Sequence, residues 1–135
     1  MTDTRTVGEV MTANPIAIAE TASLAEAAGI LDSRKISGLP VLDENGILTG
    51  VLSQTDLVRA RANQHPVSDW PGLTVGQIMT KPALTIAASA SLEEAAKVMG
   101  ERRVHRLVVT NGAANPIGIV STSDLVGSWP RQPDS

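Results

Sequence analysis

The chain has 135 residues, 42% of them hydrophobic, carries a formal net charge of −3, and contains no cysteine and only two aromatic residues, Trp70 and Trp129. That length suits one compact domain, and the core must be built from Val, Ile, Leu, Met and Ala. The composition excludes disulfides and thiol chemistry, leaves no aromatic platform for stacking bases, and has no basic stripe for duplex nucleic acid. No run approaches the ~18–20 apolar residues of a membrane span.

In chain order, Met1-Thr2-Asp3-Thr4-Arg5 leads without a signal-peptide stretch into Val7-Gly8-Glu9-Val10-Met11-Thr12. With zero cysteines, this fits a cytoplasmic protein. Ile16-Ala17-Ile18 alternates as a short strand does. Ser23 and Glu26 form an S-x-x-E capping box, with serine capping a backbone N–H and glutamate reaching back. The helix that follows puts Leu24, Ala27, Ala28 and Leu31 on one face. Leu39-Pro40-Val41-Leu42 reads as a second strand, and Asn45-Gly46 as a two-residue hairpin turn in which both positions tolerate positive φ. A third strand ends at Ser53 and a second helix begins near Thr55. The stretch from Arg61 to Leu73, with Pro66 and Pro71, reads as a linker.

The same order then returns 68 residues later without a gap: residues 7–58 overlay 75–126, and 20 of the 52 paired positions are identical. Val75-Gly76-Gln77-Ile78-Met79-Thr80 repeats the opening, and Leu84-Thr85-Ile86 the first strand. Ser91 with Glu94 repeats the cap, and Leu92, Ala95, Ala96 and Met99 the helix face. Leu107-Val108-Val109 repeats the second strand, and Gly118 to Val126 repeats Gly50 to Val58. The hairpin differs, being a looser Asn111-Gly112-Ala113-Ala114-Asn115-Pro116. Two copies are too few for a solenoid, which takes three or more, so the expectation is one β-α-β-β-α unit occurring twice, at 7–60 and 75–128, joined by 61–74. The charge is uneven: the first copy balances at −5 and the second at +1. Arg102, Arg103, His105 and Arg106 fall within five residues, as either a solvated turn or a local anion site.

The closing segment G-h-h-S-x-[ST]-D carries most of the chemistry. Ser53, Thr55 and Asp56, and again Ser121, Ser123 and Asp124, crowd a helix N-terminus, where free N–H groups and the helix dipole favour an anion. Ordinary capping needs one such residue; three suggest a ligand, and a carboxylate there could accept the hydroxyls of a ribose. Cap and ligand site remain alternatives. No enzyme is expected: His65 and His105 sit in no triad-like setting, no zinc set exists, and no phosphate-binding glycine loop is present.

The V-x-x-[IV]-M-T opening, the S-L-x-E-A-A helix, the L-[PV]-V strand and the G-h-h-S-x-[ST]-D-L-V close together resemble the CBS domain, present as a tandem pair (a Bateman module), over residues 7–128. The resemblance implies a mixed α/β (α+β) fold with the repeats packed about a pseudo-twofold axis, a regulatory role, an adenine nucleotide or adenosyl ligand in clefts between repeats, and a homodimer. By the same resemblance, Ser53, Thr55 and Asp56 share the main cleft with Ala83, Leu84, His105 and Arg106. Ser121, Ser123 and Asp124 share a weaker one with Pro15 and Ile16, where Ser37-Gly38 replaces the basic pair. AMP, ADP or ATP is the implied ligand, with S-adenosylmethionine and NAD as further candidates. Because the chain ends seven residues after the second repeat, any output is expected to act on an effector protein in trans. The alternative is a ligand-independent dimerisation or protein-interaction scaffold with vestigial clefts.

Overall fold

The computed structural model describes residues 5–36, 38–63, 65–112 and 115–128. The fold is mixed α+β, with two sheets and their helices distributed over two compact units. One unit runs from Ile16 to Leu84; the other joins the segment up to Pro15 to the chain from Thr85 onward. The units are therefore not the sequence repeats. Each contains the opening segment of one copy and the β-α-β-β-α of the other.

In the Ile16–Leu84 unit, β2 (Ile18–Ala19), β3 (Gly38–Leu42) and β4 (Leu48–Ser53) form a sheet in the order β2-β3-β4, with α2 (Leu24–Arg34) and α3 (Gln54–Ala62) as its long helices. The expected helix face forms at Leu24, Ala27 and Leu31, which are buried, while Ala28 is only half-buried. Ser23 Oγ accepts the Glu26 N–H at 3.0 Å, so the serine half of the expected box is present. The reciprocal bond is made elsewhere, at Thr74, whose N–H donates to Gln77 Oε1 at 2.8 Å. The 61–74 stretch is more than a tether. It folds into a 3₁₀ helix (Val67–Gly72) packed on α2, and Trp70 is 8% exposed with its Nε1 donating to the His65 carbonyl at 2.9 Å. Then α4 (Val75–Ile78) packs on α2 and α3 and buries Val75 completely.

In the other unit the sheet order is β1-β7-β6-β5, from β1 (Thr12–Ala13), β5 (Thr85–Ala87), β6 (Arg106–Thr110) and β7 (Pro116–Ser121). The helices are α1 (Val7–Val10), α5 (Leu92–Arg102) and α6 (Thr122–Ser128). Here too the serine cap forms, with Ser91 Oγ accepting from Glu94 N at 3.0 Å, while the reciprocal glutamate bond appears at Thr6, from Glu9. The fourth strand reflects one difference between the copies. Thr12 and Ala13 pair with Ile119 and Gly118, and Asn14 N–H continues to the Ile117 carbonyl at 3.2 Å. In the other unit the matching pairing shrinks to one bridge, Val51 with Thr80. Pro82 stands where the first copy has Asn14, and proline has no N–H to extend the ladder.

The hairpin at Asn45-Gly46 departs from the two-residue expectation. Only Gly46 has positive φ, at 78°. Asp43 Oδ1 accepts the N–H groups of Asn45 (2.8 Å) and Ile47 (2.9 Å), and Gly46 N–H reaches the Asp43 carbonyl at 3.0 Å. The aspartate pulls in a third loop residue, the arrangement in which glycine closes a three-residue loop.

Candidate functional site

Each closing segment makes the same construction at a strand-to-helix step. In the Ile16–Leu84 unit, Ser53 ends β4 and caps α3. Its Oγ accepts the Asp56 N–H at 3.2 Å, and Asp56 Oδ2 accepts the Ser53 N–H at 2.8 Å and its hydroxyl at 3.1 Å. Both residues are buried, the Asp56 side chain at 3% exposure. The other oxygen of Asp56 accepts the Thr80 hydroxyl at 2.7 Å and the Arg59 guanidinium at 3.4 Å. Thr55 is exposed beside them.

Thr80 is delivered by the opening segment of the second copy. Val51 N–H donates to the Thr80 carbonyl at 3.0 Å, and Thr80 N–H returns to Val51 at 2.9 Å. This approach requires Gly50: a Cβ there would lie 2.6 Å from the Thr80 carbonyl oxygen and 2.8 Å from Met79 Sδ. Gly118 has the same duty under Met11 and Thr12. Two features of the repeated pattern, the glycine of the close and the Met-Thr of the opening, are thus one packing device seen from both sides.

In the other unit, Ser121 N–H donates to Asp124 Oδ2 at 2.8 Å, its hydroxyl to the same oxygen at 3.0 Å, and Asp124 N–H to Ser121 Oγ at 3.3 Å. Since the Ser121 proton points at Asp124, Ser123 supplies the proton for the 3.0 Å contact between the two serine hydroxyls. Gly127 takes the place of Arg59.

Strand pairing also sets residues expected in different clefts side by side. Arg106, half-buried, pairs with Ser121, and Gly38 pairs with Ser53. The His105 carbonyl accepts the Thr122 N–H at 2.9 Å. The exposed His105 also lines a groove of about 460 Å³ with Arg103 and the mainly apolar Met99, Val104, Leu125 and Val126. Ala83 and Leu84 are half-buried in the Ser53–Asp56 unit; Ile16 is half-buried in that unit, and Pro15 in the other. Ser37 lies outside the described residues, as does the tail from Trp129. Among the described residues no three His, Cys, Asp or Glu side chains gather as metal ligands, and no helix is long and apolar enough to cross a membrane.

Thr80 and Arg59 are the contributors that sequence reasoning missed. The signal was there for Thr80, because Met-Thr recurs unchanged at 11–12 and 79–80.

A doubled β-α-β-β-α pattern, each copy closing on a serine–aspartate helix cap, defines a tandem-repeat module. The CBS domain family model matches residues 7–63 and 75–129, and the chain belongs to that family as a tandem pair. A solved structure of CBSX2 in complex with AMP is 33% identical, covers 92% of this chain and 95% of its own, and superposes with a TM-score of 0.78. The CBS domain pair of protein MJ0100, in complex with 5′-methylthioadenosine and S-adenosyl-L-methionine, is 26% identical with a TM-score of 0.83, covering 93% and 95%. Among curated relatives, the chloroplastic CBSX2 of Arabidopsis thaliana is 30% identical over 90% of this chain, and the homoserine O-acetyltransferase of Methanocorpusculum labreanum 34% identical over 89%. The chain spans 62% of the first and 23% of the second.

Proposed function

We propose that this chain is a regulatory module that senses an adenine nucleotide and signals to a partner in trans, without catalysing a reaction itself. The observation that carries the reading is the AMP complex of a CBS pair one-third identical over nearly the whole chain, matched here by hydroxyl and carboxylate groups at both strand-to-helix steps. In this proposal Ser53, Thr55 and Asp56 act with Ala83, Leu84, His105 and Arg106 as the main site, ribose at the carboxylate and phosphate at the basic pair. Ser121, Ser123 and Asp124 with Pro15, Ile16 and Ser37-Gly38 form a weaker, phosphate-poor site. AMP, ADP and ATP lead the ligand candidates, S-adenosylmethionine and NAD following. A cytoplasmic homodimer completes the reading.

The competing reading is a dimerisation scaffold with vestigial sites. It is favoured by the engagement of Ser53, Asp56, Ser121 and Asp124 in helix caps. A thermal-shift screen with AMP, ADP, ATP, S-adenosylmethionine and NAD separates the two. Ligand at 100 times its dissociation constant adds about 2.7 kcal/mol to the native state. Melting points unmoved by all five at millimolar concentration leave the scaffold.

A further inference from the structure

The two tryptophans stand in a similar relation to the two copies. Trp70-Pro71 follows α3 and Trp129-Pro130 follows α6, each pair coming after the closing helix of its copy. The first pair has a clear packing role. Its 3₁₀ helix packs on α2, and Trp70 joins Leu24, Ala27, Leu31 and Ala60 in one buried cluster. The counterpart of α2 is α5, and between α5 and α6 lies the groove of about 460 Å³. Met99 from α5 and Leu125 and Val126 from α6 give it apolar walls, and the exposed Arg103 and His105 border it. The copies differ at a residue that spans this gap. In the Ile16–Leu84 unit Gln54 Nε2 reaches the Ile36 carbonyl at 3.4 Å, tying the start of α3 to the chain just after α2. Thr122 stands in its place before α6 and is too short for that reach.

We propose that the groove between α5 and α6 is the docking site of this chain's own Trp129, which covers it as Trp70 covers part of the other unit. Trp129 comes four residues after Leu125 and three after Val126, the spacing that brings side chains together on one helix face. A side chain at that position leans back over the preceding turn, here the turn that forms the groove wall. Pro130 stops the helix immediately afterwards, so the indole is the last group α6 can direct at the groove. An indole buries about 150–250 Å², enough to remove an apolar groove of this size from water. The inference does not depend on the nucleotide reading.

Tryptophan fluorescence of the full chain tests it. In Trp70→Phe the emission comes from Trp129 alone. Because Trp70 is a core residue, the wild-type spectrum minus that of Trp129→Ala gives the same quantity with the core intact. Trp129 should emit to the blue of free tryptophan and resist quenching by acrylamide, and both properties should hold on dilution through the micromolar range. Val126→Asp sets a charge at a wall position that is 58% exposed. It should shift the Trp129 emission to the red and open the indole to acrylamide, whereas Val58→Asp, at the matching position of α3, should leave both unchanged. Solvent-like emission from Trp129 in the wild-type chain overturns the proposal. Emission that turns solvent-like on dilution, in step with a fall in mass by light scattering, gives the groove to a second copy and overturns it too. Blue emission that survives Val126→Asp, or that is lost equally in Val58→Asp, also overturns it, since Trp129 then does not depend on this groove.

Discussion

Gly50→Ala is the sharpest test of how the opening segment is seated. One methyl group enters a space where the Thr80 carbonyl oxygen would lie 2.6 Å away and Met79 Sδ 2.8 Å. The sulfur can swing aside. The carbonyl cannot, because it accepts from Val51 N–H. Overpacking of this kind costs about 1–3 kcal/mol, and relief by lifting the segment forfeits two backbone hydrogen bonds of about 1 kcal/mol each, as well as the Thr80–Asp56 bond. Against this, replacing a strand glycine by alanine recovers about 0.5–1 kcal/mol. The net expectation is a loss of about 2–3 kcal/mol, or a melting point lower by about 8–12 °C in a chain of this size. Gly118→Ala should cost less, since its two closest contacts are with the Met11 side chain and the Thr12 carbonyl oxygen is 3.0 Å away. Gly100→Ala supplies the control: it lies in α5 with nothing within 4 Å of a new Cβ and should stabilise by about 0.5–1 kcal/mol. Urea unfolding of the three variants gives the order. Gly50→Ala within about 0.5 kcal/mol of wild type, a surface-like effect, refutes the seating argument.

Lys35 (φ 53°) and Arg103 (φ 56°) close α2 and α5 in the left-handed conformation, so Lys35→Gly and Arg103→Gly should each stabilise by about 0.5–1 kcal/mol in the same unfolding assay, after loss of their dipole contact. Asp56→Ala should weaken AMP binding about tenfold or more and lower the melting point because α3 loses its cap, whereas Asp124→Ala should spare most AMP affinity; equal losses in titration remove the ranking of the two sites. Arg106→Ala should weaken AMP about tenfold and adenosine less than about twofold, because only AMP brings a phosphate to pair with the guanidinium; equal weakening places Arg106 away from phosphate. Val58 and Val126 occupy matching helix positions and are 69% and 58% exposed, and light scattering at micromolar concentration should give twice the mass of the chain, with or without nucleotide; a monodisperse monomer removes the dimer.

The β-α-β-β-α order was readable because each element rests on local periodicity and a local cap: Leu24, Ala27 and Leu31 fall on the buried face their spacing predicts, and the repeat supplied a second reading of every element. The exchange of opening segments was not readable, for a physical reason. Val7 and Val75 are identical, as are Gly50 and Gly118 and the Met-Thr pairs at 11–12 and 79–80. A pattern of apolar and small residues is satisfied equally whichever opening seats on whichever glycine, so it cannot say which pairing the chain adopts. The two-residue reading of Asn45-Gly46 fails because the loop's length is decided by Asp43, which lies outside that dipeptide and whose carboxylate captures the N–H groups of Asn45 and Ile47.

The site was legible to the extent that its parts were close in sequence. Ser53, Thr55 and Asp56 announce a helix start, and the structure uses Ser53 and Asp56 as a reciprocal cap. Thr80 lies 24 residues away and reaches Asp56 only because its segment is clipped to Val51 over Gly50, a contact no spacing rule contains. That contact changes the terms on which cap and ligand were opposed. The two roles compete only if they need the same lone pairs, and here they divide between the oxygens of one carboxylate. Oδ2 is committed to the helix by two Ser53 bonds, whereas Oδ1 is held by one firm donor and one loose one. A side chain whose first oxygen is locked by a cap presents its second in a fixed direction without further ordering cost, which is what a binding group needs. On the proposed reading, the cap is then the support of the site and not the alternative to it.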